Sequence, residues 1–371
     1  MTQTKLIPHE PLKLPPNSIE TDLSGLTALV GRANATLSRY DGLLESLINP
    51  QILLSPLIMK EAELSSRIEG TIATANEVYE QEAGAEFEPE KQADIKEILN
   101  YRQTLRMATG EVSKNPISLH MIRTMHAMLM EGTRGQDMSP GQFRTTQNWI
   151  GQKGCSMNEA TYIPPSPLQL PTHLQSFELF LQTKHENLDP IVKTGLVHAQ
   201  FELIHPFDDG NGRIGRLIIP LYLARLGSLV SPSLYISAYF EANREEYTHR
   251  LGEISANRDW RNWIIFFLTA VVHQAQTNLD LIRRITSLYE EMKTKISNAT
   301  HSEQAISILD SLFDRPVFQA SDLHENLGIS RNRAATYIRA LKNERILHEL
   351  RPASGRRPAV LSFQPLFEIT S

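Results

Sequence analysis

Twelve residues at 205–216, His-Pro-Phe-Asp-Asp-Gly-Asn-Gly-Arg-Ile-Gly-Arg, combine an imidazole, carboxylates, three glycines, an amide and two guanidiniums. Gly210 and Gly212 bracket Asn211 just ahead of the apolar run Ile214, Leu217, Ile218 and Ile219. Such a chain turns tightly and then enters a helix, with successive backbone N–H groups aimed into one concavity, and a helix N-terminus of that kind binds phosphate. Arg213 and Arg216 are three apart and share a helix face, and two guanidinium forks suit a polyphosphate. Asp209 offers one hard oxygen to a cation whose remaining ligands are phosphates, the usual way Mg²⁺ is held. His205, whose ordinary pKa is about 6.5, is suited to take the proton of an incoming hydroxyl.

The elements that must position these groups are helical. Apolar residues recur at helical spacing over 25–47, from about Pro50 to Arg67, over 74–112 and from Ser118 to Glu131. They do so again at Leu168–Gln182 and Pro190–Ile204, the latter delivering His205, with His198 two turns earlier as a core or supporting residue. Leu217–Leu226 is nearly all apolar, as a buried helix is. Residues 259–297 form one long helical pattern. The stretch ending at 70 has its own signature: Ser65 and Glu69 stand one helical turn apart, and Gly70 is a stop.

The helical period lapses in two places. Thr146–Ile150 and Thr161–Ile163 flank Gly151, Gly154 and Asn158, which predicts a β-hairpin. Near the end of the chain, helices around Ala305–Leu312, Gln319–Leu327 and Arg331–Glu344 precede a hairpin at His348–Phe363 with Gly355 at its tip, the order of a winged helix. Residues 331–357 carry 8 basic against 2 acidic residues, so this unit is expected to meet DNA or another protein. Four prolines at 8, 11, 15 and 16 predict an extended arm over residues 1–20.

Whole-chain properties narrow the function. The 371 residues suit two or three domains, and a net charge of −5 gives no global pull toward nucleic acid or anionic membrane. One cysteine, Cys155, permits no internal disulfide and fits a reducing compartment. The longest apolar run, Trp263–Val272 with one threonine, is too short to span a bilayer, and no signal-peptide core is seen, so a cytoplasmic protein is expected.

The pattern His-x-Phe-x-(Asp/Glu)-Gly-Asn-Gly-Arg-x-x-Arg is the signature of Fic-domain proteins, and residues 205–216 resemble it at every fixed position. The resemblance implies a mainly α fold, a Fic-type helical core with a small hairpin flap, that transfers AMP from ATP to a Ser, Thr or Tyr hydroxyl of a protein target, with Mg²⁺. It implies His205 as general base and Asp209 as metal ligand. It likewise implies that Gly210, Asn211 and Gly212 hold phosphates, with Arg213 toward the β-phosphate and Arg216 on the γ-phosphate. Ser65-Ser66-Arg67-Ile68-Glu69-Gly70 is similar to the family's inhibitory motif, (Ser/Thr)-x-x-x-Glu-(Gly/Asn), which implies that Glu69 reaches Arg216 and obstructs ATP. Ala160, Thr161, Tyr162 and Ile163 look like the second strand of the flap that lays a target segment beside the site. Tyr239 and Tyr247 lie in a region similar to the one that contacts adenosine.

The expected organisation is an N-terminal helical region over 1–112, a catalytic core over 113–275, a helical linker over 276–302 and a winged-helix domain over 303–371. The resemblance also admits a homodimer. Two other readings stand beside AMP transfer: a Fic fold with a different transfer (phosphocholine, phosphate, or AMP removal), and a nucleotide-sensing winged-helix regulator.

Overall fold

The computed structural model describes residues 7–134, 137–152, 154–354 and 358–370. The fold is built on helices, in line with the 3.6-residue periods of the sequence. Its frame is a pair of long helices, Thr27–Glu45 and Trp260–Thr300, packed against each other. The second runs 41 residues and buries Trp263, Phe267, Val271, Ala275, Leu279, Ile282, Ile285, Met292 and Ile296 along one stripe at helical spacing. The expected boundary at 275–276 falls inside this one helix, and because its inward stripe continues to Ile296, residues 276–300 are a packed element, not a linker.

The helices Pro190–Ile204 and Asn211–Arg225 form the centre, buried on almost every side. The first starts where Asp189 accepts hydrogen bonds from the N–H groups of Ile191 and Val192 and Pro190 occupies the first turn. The indole of Trp263 donates to the Gly195 carbonyl at 2.9 Å and fixes the pair against the long helix. Around them pack Ser55–Ile68, Pro89–Val112 and Leu119–Met130. The stretch expected as one helix from Pro50 is two, Pro50–Leu53 and Ser55–Ile68, and Pro56 in the first turn of the second explains the break.

The expected hairpin is reduced to a single antiparallel bridge between Ile150 and Tyr162, with a short 3₁₀ turn at Met157–Glu159 between them. Ala160, Thr161 and Ile163 do not extend it into a ladder. Ile163 instead gives its carbonyl to the N–H of His9, so the N-terminal arm lies along the outer side of the flap. Glutamine 200 ties the arm down further by donating to the Leu12 carbonyl at 2.8 Å.

The C-terminal unit has the expected succession of helices, Ala305–Asp314, Asp322–Leu327 and Arg331–Asn343. A strand, β1 (Val317–Gln319), adds to β2 (His348–Arg351) and β3 (Val360–Ser362) to make a three-stranded antiparallel sheet in the order β1-β3-β2. Gly355, the expected hairpin tip, lies outside the described residues. This unit rests on the N-terminal region, where Gln319 donates to the Ala83 carbonyl and the Phe367 ring meets Tyr79 edge-on at 6.1 Å. No helix among the described residues is long and apolar enough to cross a membrane.

Candidate active site

His205 ends the helix Pro190–Ile204 in the left-handed conformation, φ 47° and ψ 62°, and this turns the chain into the loop 206–210. Its Nδ1 lies 3.3 Å from the Glu202 carbonyl. With the Nδ1 proton donated there, Nε2 carries the free lone pair. Burial lowers the pKa of His205 to about 4, so the ring is neutral at pH 7 and able to accept a proton.

The loop that follows is braced from several sides. Asn211 is buried, its Oδ1 accepting from the Phe207 N–H and its Nδ2 donating to the Phe207 carbonyl, both at 2.8 Å. Its amide therefore closes the turn, and only its backbone N–H is left for a phosphate. Gly210 caps the next helix at φ 77°, a conformation that other residues adopt at a cost. The expected nest is thus the N-terminus of Asn211–Arg225.

Two residues that sequence reasoning did not single out hold this loop. His126 accepts at Nδ1 from the Gly141 N–H at 2.8 Å and donates from Nε2 to the Asp209 carbonyl at 2.9 Å, with its ring stacked on Phe207 at 3.8 Å. Arg144, 3% exposed, donates to the carbonyls of His205, Thr146 and Pro165 at 2.9, 3.2 and 2.6 Å. One guanidinium thereby joins the flap to the turn that carries His205. His126 falls on the buried face of Leu119–Met130, four residues from both Ile122 and Met130, so its spacing marks a core position but not its partners, and Arg144 lies in a loop with no periodic signal.

The two arginines of the loop take different partners. Arg213 is buried, with Nη1 3.4 Å from Glu97 and Nη2 3.6 Å from Asp209. Arg216, also buried, donates through Nε to the Ser65 hydroxyl at 2.9 Å and through Nη2 to the Ser65 carbonyl at 2.8 Å and to Glu69 at 2.7 Å. Burial pushes the Glu69 carboxyl up, but the Arg216 guanidinium, helped by Arg213 and His205, brings it net below its usual range. Glu69 is ionised at pH 7. Gly70, at φ 98°, ends the helix directly behind it, and Arg244 donates to the Ile68 carbonyl.

Gly212 shows how close the carboxylate comes. A Cβ placed there would stand 2.2 Å from Oε1 of Glu69, so the glycine leaves the space in which Glu69 sits at the mouth of the helix N-terminus.

Beside these groups opens a cavity of about 620 Å³ whose walls include Glu69, His205, Gly212, Arg216, Tyr162 and Tyr247. Tyr247 also belongs to an aromatic cluster, stacked on Phe240 at 4.4 Å with its hydroxyl 2.9 Å from His198. The expected partner Tyr239 is elsewhere: its ring packs on Phe266 and His273, and it does not line the cavity. From the flap, Ile150, Gly151, Thr161 and Tyr162 line it, while Ala160 and Ile163 do not.

The Fic/DOC family N-terminal model matches residues 27–110, and the Fic/DOC family model matches 116–223, the stretch that holds His205, Asp209 and Arg216. The chain belongs to the Fic/DOC family. Among its relatives, a protein adenylyltransferase Fic of Drosophila virilis is 27% identical over 216 residues, 58% of this chain and 39% of that protein. One of Drosophila grimshawi is 32% identical over 132 residues, 35% of this chain and 25% of that protein. The chain therefore matches well under half the length of these curated relatives.

The Fic fold extends further than the sequence similarity. A Fic family protein from Desulfovibrio desulfuricans G20 superposes with a TM-score of 0.57 at 19% identity, over 96% of this chain and 98% of that one. Fic-1 of C. elegans superposes at 0.54 and 19%, over 75% and 79%.

The helix that delivers His205 carries a further carboxyl at the site. Glu202 lies one helical turn before His205, lines the cavity and has a buried Oε1 without a hydrogen-bond partner among the described residues. Burial raises its pKa to about 8, against the pull of Arg216, so it is mostly protonated at pH 7. Asp209 fits a Mg²⁺ that shares its shell with substrate phosphates. Its side chain is 49% exposed, and no cluster of three His, Cys, Asp or Glu among the described residues suggests a metal held by protein alone.

Proposed function

We propose that this Fic protein transfers AMP from ATP to a hydroxyl of a protein, and that the form described here is held off by Glu69. The observation that carries the proposal is the seat of the Glu69 carboxylate. It occupies the guanidinium of Arg216 and the face of Gly212 at a helix N-terminus, beside a neutral His205. An anion site next to a proton acceptor is what a reaction between a polyphosphate and a hydroxyl requires.

The residues take the following parts. The N–H groups at the start of Asn211–Arg225 and the side chains of Arg213 and Arg216 bind the phosphates. Asp209 holds Mg²⁺, which when bound neutralises charge on the phosphate oxygens and the pyrophosphate leaving group. The flap edge at Ile150 and Tyr162 lays the target chain alongside, and Arg144 keeps that edge in register with His205. The target hydroxyl gives its proton to Nε2 of His205, its oxygen bonds to the α-phosphorus, and the bond from that phosphorus to the bridging oxygen of pyrophosphate breaks.

While Glu69 is in place, the γ-phosphate lacks the Arg216 fork and meets a like charge, so ATP binds poorly or with its α-phosphate out of line for attack. The test is to incubate Glu69→Gly protein with Mg²⁺, cell lysate and ATP labelled at either the α- or the γ-phosphate. Label from the α position alone, with a product heavier by one AMP, is the expected result. Label from the γ position, or a product of another mass, would assign a different transfer.

A further inference from the structure

We propose that the C-terminal unit binds double-stranded DNA and reads base edges with the helix Arg331–Asn343. The helix turns its apolar side, Ala334, Tyr337 and Leu341, into the molecule. At 100° per residue, the direction opposite that buried side is occupied by positions 332, 336, 339 and 343. They are Asn332, Thr336, Arg339 and Asn343, all exposed. Asparagine pairs with adenine, arginine with guanine, and threonine with either a base edge or a thymine methyl, and all four side chains reach outward from one row.

The flanks of that row carry charge suited to phosphate. Arg331 and Arg333 stand at the first turn and Arg345 just beyond the last, all exposed, and the helix itself contains no carboxylate. Lys342 is engaged by Glu349 at 2.6 Å, which leaves the three arginines as the cationic rim. The helix begins on the Ser330 cap, whose hydroxyl accepts from the Arg333 N–H, and the left-handed Gly328 swings it away from the helix before it. At 13 residues it is roughly 20 Å long, a fit for the major groove.

A protein partner is disfavoured by the same row. Protein interfaces are organised around a buried aromatic or aliphatic anchor, and the outward face of this helix has none. The exposed large apolar residues of the unit, Ile306 and Leu350, lie on other elements. The net charge of the whole chain, −5, gives no chain-wide attraction for DNA, so binding rests on the local basic rim.

The test uses the full-length chain. Selection from a pool of randomised duplexes is followed by fluorescence anisotropy with the enriched duplex and a scrambled one of equal length. One short motif is expected to be enriched. Arg339→Ala is expected to weaken binding of the enriched duplex about 5- to 150-fold and to leave the scrambled duplex nearly unaffected, as loss of a base contact does. Arg333→Ala is expected to weaken both alike and to flatten the salt dependence. Because all these side chains are exposed, unchanged melting temperatures serve as the folding control. Absence of duplex binding at low salt, binding without enrichment of any sequence, or equal competition by heparin or polyglutamate would each overturn the proposal.

Discussion

Glu69 and Arg216, 147 residues apart in the chain, meet at 2.7 Å in the mouth of the cavity, and Ser65 holds the same guanidinium from one turn earlier. A carboxylate, a hydroxyl and a carbonyl thus occupy donors that would otherwise face a phosphate. In Glu69→Gly the fork is freed from its charged partner while the Ser65 contacts remain. ATP affinity is expected to rise by about 10- to 150-fold, which corresponds to releasing one charged hydrogen bond of about 1.5–3 kcal/mol, and protein labelling to rise with it. Calorimetric titration with a non-hydrolysable ATP analogue reads this directly, and unchanged affinity would remove the gate.

His205→Ala deletes the proton acceptor and leaves the helix N-terminus and both arginines in place. Labelling is expected to fall by about 10²- to 10⁴-fold while nucleotide binding in the Glu69→Gly background is kept. Single-turnover labelling at saturating ATP separates the two effects. Full activity would assign the base elsewhere.

Arg144→Met is expected to act on both stability and rate. It leaves three carbonyls, of His205, Thr146 and Pro165, without their donor in a buried place. The cost is roughly 3 kcal/mol, which in a chain of this size lowers the melting temperature by several degrees. Since the lost contacts join flap to catalytic turn, kcat and the KM for the protein target should worsen, with the Kd for ATP less affected. An Arg144→Lys variant that restores stability without restoring rate would show that the three-way geometry, not the charge, is what matters.

The pH dependence of stability should carry opposite contributions from two buried groups. Burial lowers the pKa of His198 to about 3, so its contribution is present above about 6.5 and is lost as pH falls below that, when the unfolded chain takes up the proton first. Burial raises that of Glu202 to about 8, so its contribution is present below about 4.5 and is lost as pH rises toward 8. Glu202→Gln mimics the protonated carboxyl at every pH. Relative to the natural protein, its melting temperature should therefore gain steadily between pH 6 and 8. Parallel curves for the two proteins would show that Glu202 is ionised in the fold.

How much of this was written in the chain depends on range. The loop 205–216, the helix that precedes it and the stop at Gly70 were legible because each is a matter of neighbouring residues: glycine freedom, helical period, a proline at a helix start. The long helix was legible too, though its unbroken inward stripe past Ala275 argues against the linker expected there. The hairpin was less legible, since strand-like residues at 146–150 and 161–163 form one bridge and then bond to other partners, including the arm.

Sequence alone therefore determined the helices, the loop between two of them and the chemistry-bearing side chains that this loop carries. Only the tertiary structure decided how they are aimed. Asn211 turns its amide inward because the Phe207 backbone is within reach, Tyr239 faces Phe266 and not the cavity, and His126 and Arg144 reach carbonyls 83 and 61 residues away. The physical reason is that a period or a turn is set by a few adjacent dihedrals. A hydrogen bond between distant side chains exists only after packing has brought the two backbones to within a few ångströms and excluded the water that would otherwise satisfy them.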